Sequence, residues 1–412
     1  MDLIIRNVAI PTFPARQDIG VRDGRIVALA PHLDTHGDEE EDGRDCMAFG
    51  GFVESHIHLD KAYILDRCQN RDGSLKSAIA TTQAAKSAFT TDDVQMRADR
   101  VVKAAIGCGT MAMQTFVEVD EYVGLRSLDA LRILRDEYSD FIDLRICAFA
   151  QDGLTQFADG LSLLDHALRQ GANTVGGCPY TDPDPREHVR QIMRLAAQYD
   201  CDVDFHVDFD VEPEGSILPF IIEQTLAMGY QGRVSVGHAT KLSVMQPDRL
   251  QPILSGMLRA DILLTALPAT DLFLMGGVMA PLLQYHHMGG RCTLGTNNVV
   301  NPFTPFGDVN LLRMGNLFAN MERLYQNEDM AWIFDMLTVI PAGALRVAGL
   351  PELGGSADIV LLEAPDPATA VRELRPVRTG WKRGRRTFHN HGVELVTGRV
   401  ATHGKRRTFC AQ

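Results

Sequence analysis

Between residues 50 and 345, short apolar runs alternate with stretches of helical periodicity. This alternation limits the fold more than any other feature, because strands that take turns with helices build βα units and a parallel sheet. The strand-like runs number eight: 52–58, 111–119, 144–150, 174–177, 203–207, 234–238, 262–266 and 292–296. Helical stretches fill the gaps, among them 127–138, 161–169, 186–199, 218–228 and 311–325. In one of them Val189, Ile192, Met193, Leu195 and Ala196 recur near the helical period. Eight such units predict a (β/α)8 TIM barrel over residues 50–345.

The two ends of the chain read differently. Residues 3–8 form one strand-like run, and 19–29 form a hairpin about the turn Asp23-Gly24. Residues 32–44 are acidic and loop-like. After the barrel, 357–362, 371–377, 386–388 and 393–396 read as further strands, and the basic run 382–386 as a hairpin or solvated edge. The N-terminal piece is too small to be a stable domain by itself, and its expected partner is the far end of the chain. Residues 1–49 and 346–412 are therefore expected to share one small β-sandwich domain, with the barrel inserted between them.

Net charge is −13 at neutral pH, so nucleic acid and anionic membrane are poor partners: their phosphates would be repelled. No apolar run is long enough to span a bilayer, and with no basic leader or long apolar core in residues 1–6 no secretory signal is expected. The eight cysteines are scattered and form no Cys-x-x-Cys pair. A reducing cytoplasm without disulfides is expected.

The polar residues that interrupt these runs collect at their C-terminal ends, where barrel enzymes carry their chemistry. The first run ends in His56 and His58, two positions apart and so on one face of a strand. The fifth ends Phe205-His206-Val207-Asp208, the sixth Val236-Gly237-His238, and the eighth Gly295-Thr296-Asn297-Asn298. Three neutral imidazoles, His56, His58 and His206, can hold one divalent cation and leave positions open for water. Zinc is the first expectation, with iron, manganese or cobalt able to take the same ligands. His238 is open to three roles: a fourth ligand, a proton shuttle, or an electrophile beside the substrate.

These motifs resemble the amidohydrolase superfamily, in the branch of cytosine deaminase and N-isopropylammelide isopropylaminohydrolase. The resemblance runs through Phe52-Val53-Glu54-Ser55-His56-Ile57-His58-Leu59-Asp60 and Ala148-Phe149-Ala150-Gln151-Asp152-Gly153. It includes the His206 and His238 runs, Asn301-Pro302-Phe303-Thr304-Pro305-Phe306-Gly307, and 355–362. It implies a barrel with a composite β-sandwich, one divalent metal, and hydrolysis of a C–N bond on a small nitrogen heterocycle. By motif position His56, His58 and His206 would hold the metal, and His238 would assist at the substrate. Gln151 looks like the amide that binds the heterocycle in cytosine deaminases. Lys61 is more like the isopropylaminohydrolase, and homo-oligomers are common among such relatives.

Departures from the family pattern bear on the substrate. Asn297 stands where the family has an aspartate that binds metal and takes the proton of the attacking water. An amide cannot accept that proton at neutral pH. Phe209 stands where cytosine deaminases carry a glutamate, and the second run carries Thr115-Phe116-Val117-Glu118 where deaminases tend to show His and Asp. Cytosine itself is therefore not the expected substrate; a related cyclic amide or amidine is. Three explanations of Asn297 stay open: another base, a site that binds a ligand without efficient turnover, or an aspartate replaced to trap a complex. Asp208, His238 and Lys61 are the candidate bases, and Asp182 is placed to reach the pocket. Phe209 and Phe303 are candidates to stack on a flat ring.

Overall fold

The computed structural model describes residues 1–392. Strands β1 (Leu3–Val8), β2 (Gln17–Arg22), β3 (Arg25–Ala30), β4 (Glu39–Asp42) and β5 (Met47–Phe49) come first. The barrel strands follow: β6 (Phe52–Ile57), β7 (Thr110–Glu118), β8 (Asp143–Ala150), β9 (Thr174–Gly177), β10 (Asp202–Val207), β11 (Val234–His238), β12 (Leu263–Ala266) and β13 (Cys292–Leu294). Between and after them lie α1 (Leu75–Lys86), α2 (Thr91–Gly107), α3 (Arg126–Glu137), α4 (Gly160–Arg169), α5 (Pro185–Tyr199), α6 (Leu218–Ala227), α7 (Pro247–Arg259), α8 (Pro268–Met275), α9 (Leu282–His287), α10 (Leu311–Glu322), α11 (Asn327–Leu337) and α12 (Val339–Leu345). The chain then runs through β14 (Ile359–Leu362), α13 (Pro367–Glu373), β15 (Val377–Lys382) and β16 (Arg385–His389).

Strands β6 to β13 pair in sequence order, each parallel to its neighbour. The last meets the first through Asn297: its amide donates to the His56 carbonyl, and its carbonyl accepts from the His58 amide, each at 2.8 Å. That contact closes the TIM barrel at the level of the metal-ligand candidates. Every residue of β7 is buried, as a strand between a filled interior and a helical jacket must be. Helix α5 shows the local logic. Asp184 caps its start, Pro185 opens its first turn, and the predicted apolar stripe is the buried one.

Both chain ends contribute to two further sheets, ordered β3-β2-β1-β4 and β16-β15-β14-β5. Leu3, Ile5, Val21, Ala48, Ile359 and Trp381 share one core between these sheets. The apolar segment at 47–53 is divided at Gly50-Gly51, so that β5 joins β14 and β6 enters the barrel. Gly51 has φ +94°, and a Cβ there would lie 2.3 Å from Met111 Cγ.

Local expectations are corrected at several places. Residues 371–377 are not a strand: Asp366 caps α13, Pro367 occupies its first turn, and the strand starts only at Val377. The acidic stretch contains β4, paired parallel with β1. Its carboxylates are neutralised, Glu40 by Arg6 on the neighbouring strand and Glu41 by Arg386 of the other sheet at 2.8 Å. The basic run does turn a hairpin, but Lys382 is buried between Asp143 and Asp358 at 2.6 and 2.7 Å. The run 393–396 lies outside the described residues. Among the described residues no helix is long and apolar enough to cross a membrane, and seven cysteines are free thiols.

Candidate metal centre and active site

The C-terminal ends of the strands bring His56, His58 and His206 together. One ring nitrogen from each lies within 4.8 Å of the others. The His56 and His206 rings stack with centroids 4.4 Å apart. Two glycines make this approach possible. A Cβ on Gly237 would lie 2.7 Å from His56 Cε1, and one on Gly295 would lie 2.9 Å from His56 Cβ. Glu54 fixes the strand beneath, accepting from the His56 amide at 2.9 Å and from Thr296 Oγ1 at 2.6 Å. Burial nonetheless pushes the Glu54 carboxyl up to about 7.

The three histidines fit a cation. Both His56 nitrogens, His58 Nδ1 and His206 Nε2 are buried with no hydrogen-bond partner. Polar atoms left so are costly unless something completes them. Burial holds all three rings well below the ordinary imidazole pKa, which keeps their lone pairs free for a metal. Asn297 Oδ1 is likewise buried without a partner, and its residue lines the same cavity as His58 and His206.

His238 stands beside this group and is braced from two sides. Its Nδ1 lies 2.9 Å from Asp271 Oδ1, while the Leu267 amide donates to Asp271 Oδ2 at 3.0 Å. The Phe209 ring stacks on the imidazole at 3.8 Å. With Nδ1 committed to Asp271, the polar atom His238 presents to the cavity is Nε2.

Lining the same cavity, Lys61 Nζ donates to Glu118 Oε1 at 2.8 Å and to Gln151 Oε1 at 3.0 Å. It also lies 4.5 Å from the centre of the Phe303 ring. Gln151 Nε2 donates in turn to Cys178 Sγ at 3.2 Å. Asn298 lines the cavity with its carbonyl occupied by Asn301 Nδ2 at 2.7 Å, which leaves its amide nitrogen available. Burial raises the Glu118 carboxyl, but the Lys61 and Lys86 ammonium groups outweigh it and hold the group at about 2.

Two expected pocket residues lie elsewhere. Strand alternation, continued two residues past His206, would put the candidate base Asp208 on the same face, but β10 ends at Val207 and Asp208 turns the chain with φ +48°. Its carboxylate accepts from Ser216 Oγ and from the Ile217 amide, bracing the next loop. Asp182 accepts from the Leu154 and Thr155 amides at 2.6 and 2.9 Å and pairs with His188 Nδ1 at 2.9 Å. It ties the loop after β8 to α5 and does not line the cavity. Conversely, Asp271 and Lys86 escaped the sequence reading. The one signal at Asp271 is an acidic residue in the first turn of a helix opened by Pro268. The Lys86 side chain is 2% exposed, and nothing local marks it as buried.

A profile of the amidohydrolase family matches residues 148–388. The chain is 25% identical over 395 residues to an N-isopropylammelide isopropyl amidohydrolase of Pseudomonas sp. (strain ADP), covering 90% of this chain and 93% of that protein. It is 27% identical over 370 residues to a pterin deaminase of Rhizobium rhizogenes (strain K84), covering 85% and 82%. Its fold superposes with a TM-score of 0.90 on 5-methylcytosine deaminase from Klebsiella pneumoniae, at 23% identity, over 96% of this chain and 100% of that one. The profile spans more than half of the residues, and this chain belongs to the amidohydrolase family.

Proposed function

We propose that this protein is a metal-dependent hydrolase that cuts a C–N bond in, or exocyclic to, a small planar cyclic amide or amidine. The observation that carries the reading is the convergence of unpartnered buried nitrogens from His56, His58 and His206 beside a braced His238. Relatives named for isopropylammelide and pterin support a nitrogen heterocycle as substrate. The three histidines would hold one divalent cation, zinc first, with iron, manganese or cobalt as alternatives. When bound, such a cation supplies Lewis-acid polarisation and makes water acidic enough to react near neutral pH.

The protein's own groups divide the remaining work. The Asn297 amide orients but takes no proton. Proton acceptance therefore falls to His238 Nε2, with Asp271 holding the opposite ring nitrogen as donor. Asp208 does not serve, because its carboxylate is committed to Ser216 and Ile217. Lys61, Gln151 and Asn298 offer N–H donors, which suit a carbonyl oxygen or a deprotonated ring nitrogen. Phe209 and Phe303 supply flat walls, and with Phe209 in place cytosine is not the expected substrate. We place the enzyme in the cytoplasm as a homo-oligomer, without nucleic-acid or membrane partners.

A second reading has one observation in its favour, the amide at 297. On it the chain binds a heterocycle and turns it over poorly. The deciding experiment is metal analysis of the purified chain followed by ammonia or amine release from a panel of oxo- and amino-substituted pyrimidines, triazines and pterins. Bound metal with release supports the hydrolase. Tight binding without release supports the second reading, and a chain that binds neither metal nor heterocycle refutes both.

A further inference from the structure

A cluster of three carboxylates, none of them lining the pocket, lies behind Lys61. Glu118, Asp120 and Asp152 each place one oxygen within 4.8 Å of the others, the arrangement of a cation site. The cation there is Lys86. Its ammonium donates to Glu118 Oε2 at 2.8 Å and also to Asp120 and Asp152. Burial alone would lower its pKa; the carboxylates, Glu118 foremost, raise it above the ordinary lysine value. Lys86 is the last residue of α1, and Ala78, Thr82 and Lys86 form the single buried stripe of that helix.

Glu118 is shared. Its Oε2 belongs to Lys86 and its Oε1 to Lys61, the lysine that lines the pocket. Lys61 in turn holds Gln151, whose chain neighbour Asp152 is another partner of Lys86. The ring Lys86–Glu118–Lys61–Gln151–Asp152 therefore has one member at the pocket wall that is charged and one behind it that locks the carboxylates. Without Lys86, three buried carboxylates would face each other with only Lys61 to neutralise them. Lys61 would be drawn off the wall, or a carboxyl would take a proton and release it.

We propose that Lys86 is a positioning residue for ligand binding: an internal cation, seated where a metal could sit, that fixes Glu118 and through it the pocket face of Lys61. This rests on the reading that Lys61 contacts the substrate.

The test uses the full, metal-loaded chain and the panel compound that the native chain hydrolyses fastest. Lys86→Met should raise KM about tenfold or more while kcat stays within about threefold, because a charged hydrogen bond to the ligand is misplaced and the reacting groups are not. Lys86→Arg should recover most of the loss. Millimolar Ca²⁺, an ion that prefers oxygen ligands, should lower the KM of Lys86→Met and leave the native KM unchanged. Calorimetry should show a Ca²⁺ site in Lys86→Met that the native chain and Lys86→Met/Glu118→Gln lack.

If Lys61→Met raises KM and Lys86→Met does not, the positioning role is refuted while the pocket reading stands. If Lys61→Met leaves KM unchanged, the pocket reading of Lys61 fails and this inference falls with it. Should Lys86→Met not fold, Asp152→Asn loosens the same seat with Lys86 retained; a several-fold rise in KM supports the role and a native KM overturns it.

Discussion

His238 Nδ1 and Asp271 Oδ1 lie 2.9 Å apart, and the second Asp271 oxygen is fixed by the Leu267 amide at 3.0 Å. The pair gives the pocket a buried carboxylate behind its imidazole, in a chain that carries an amide at 297. Asp271→Asn keeps the shape but leaves a single oxygen for two donors, the Leu267 amide and His238 Nδ1, so the carboxylate that sets the ring's tautomer is lost. We expect kcat to fall by about 10²-fold or more, with metal content unchanged. Steady-state kinetics beside metal analysis checks this, and an unchanged kcat would remove the pair from the mechanism.

Asn297→Asp separates the two functional readings. If His238 is the working base, the native chain is active and an added carboxylate beside the histidines disturbs a tuned site, so activity falls. A many-fold gain in hydrolysis would instead mark the native chain as an impaired enzyme.

His206→Ala removes one of the three clustered ligand candidates. The metal content of the purified chain should drop from near one ion per chain to near none, and the rise in Tm on adding zinc to the apo-protein should vanish. Metal retained at the native level would contradict the ligand set.

Gly237→Ala tests how closely the strands must approach. The added Cβ would lie 2.7 Å from His56 Cε1, so the ring must shift. Metal affinity should fall by about tenfold or more while far-UV circular dichroism stays native. A variant that binds zinc as the native chain does would show that the ring has room to move.

Glu118 predicts an acid limb in stability. Burial raises its carboxyl, yet Lys61 and Lys86 hold it at about 2, below the ordinary 4.5. A depressed carboxyl stabilises the fold above its unfolded pKa, and that contribution is lost as pH falls from about 4.5 toward 2. Tm of the native chain should therefore fall more steeply over that window than Tm of Glu118→Gln. Parallel slopes would mean that the two ammonium groups do not act on Glu118.

Much of this protein is written along the chain. The eight barrel strands follow from apolar runs, their parallel order from the helices between them, and the metal-ligand candidates from histidines at the ends of those runs. Each of these depends on neighbours a few residues apart, so periodicity and spacing are enough to expose it. The composite sandwich was legible in outline too, because the N-terminal strands were too few to stand alone and the far end offered more.

Other features arise only when distant segments meet. Asp208 leaves the face of His206 because one left-handed residue ends strand alternation, and Asp182 is taken up by amides and a histidine from two other elements. Asp271 reaches His238 across 33 positions, and Lys86 reaches Asp152 across 66. A carboxylate or an ammonium has the same letter whether it faces water or a buried partner. What decides its role is the loss of water around it and the charge set opposite, and both are properties of the closed barrel and its packed loops.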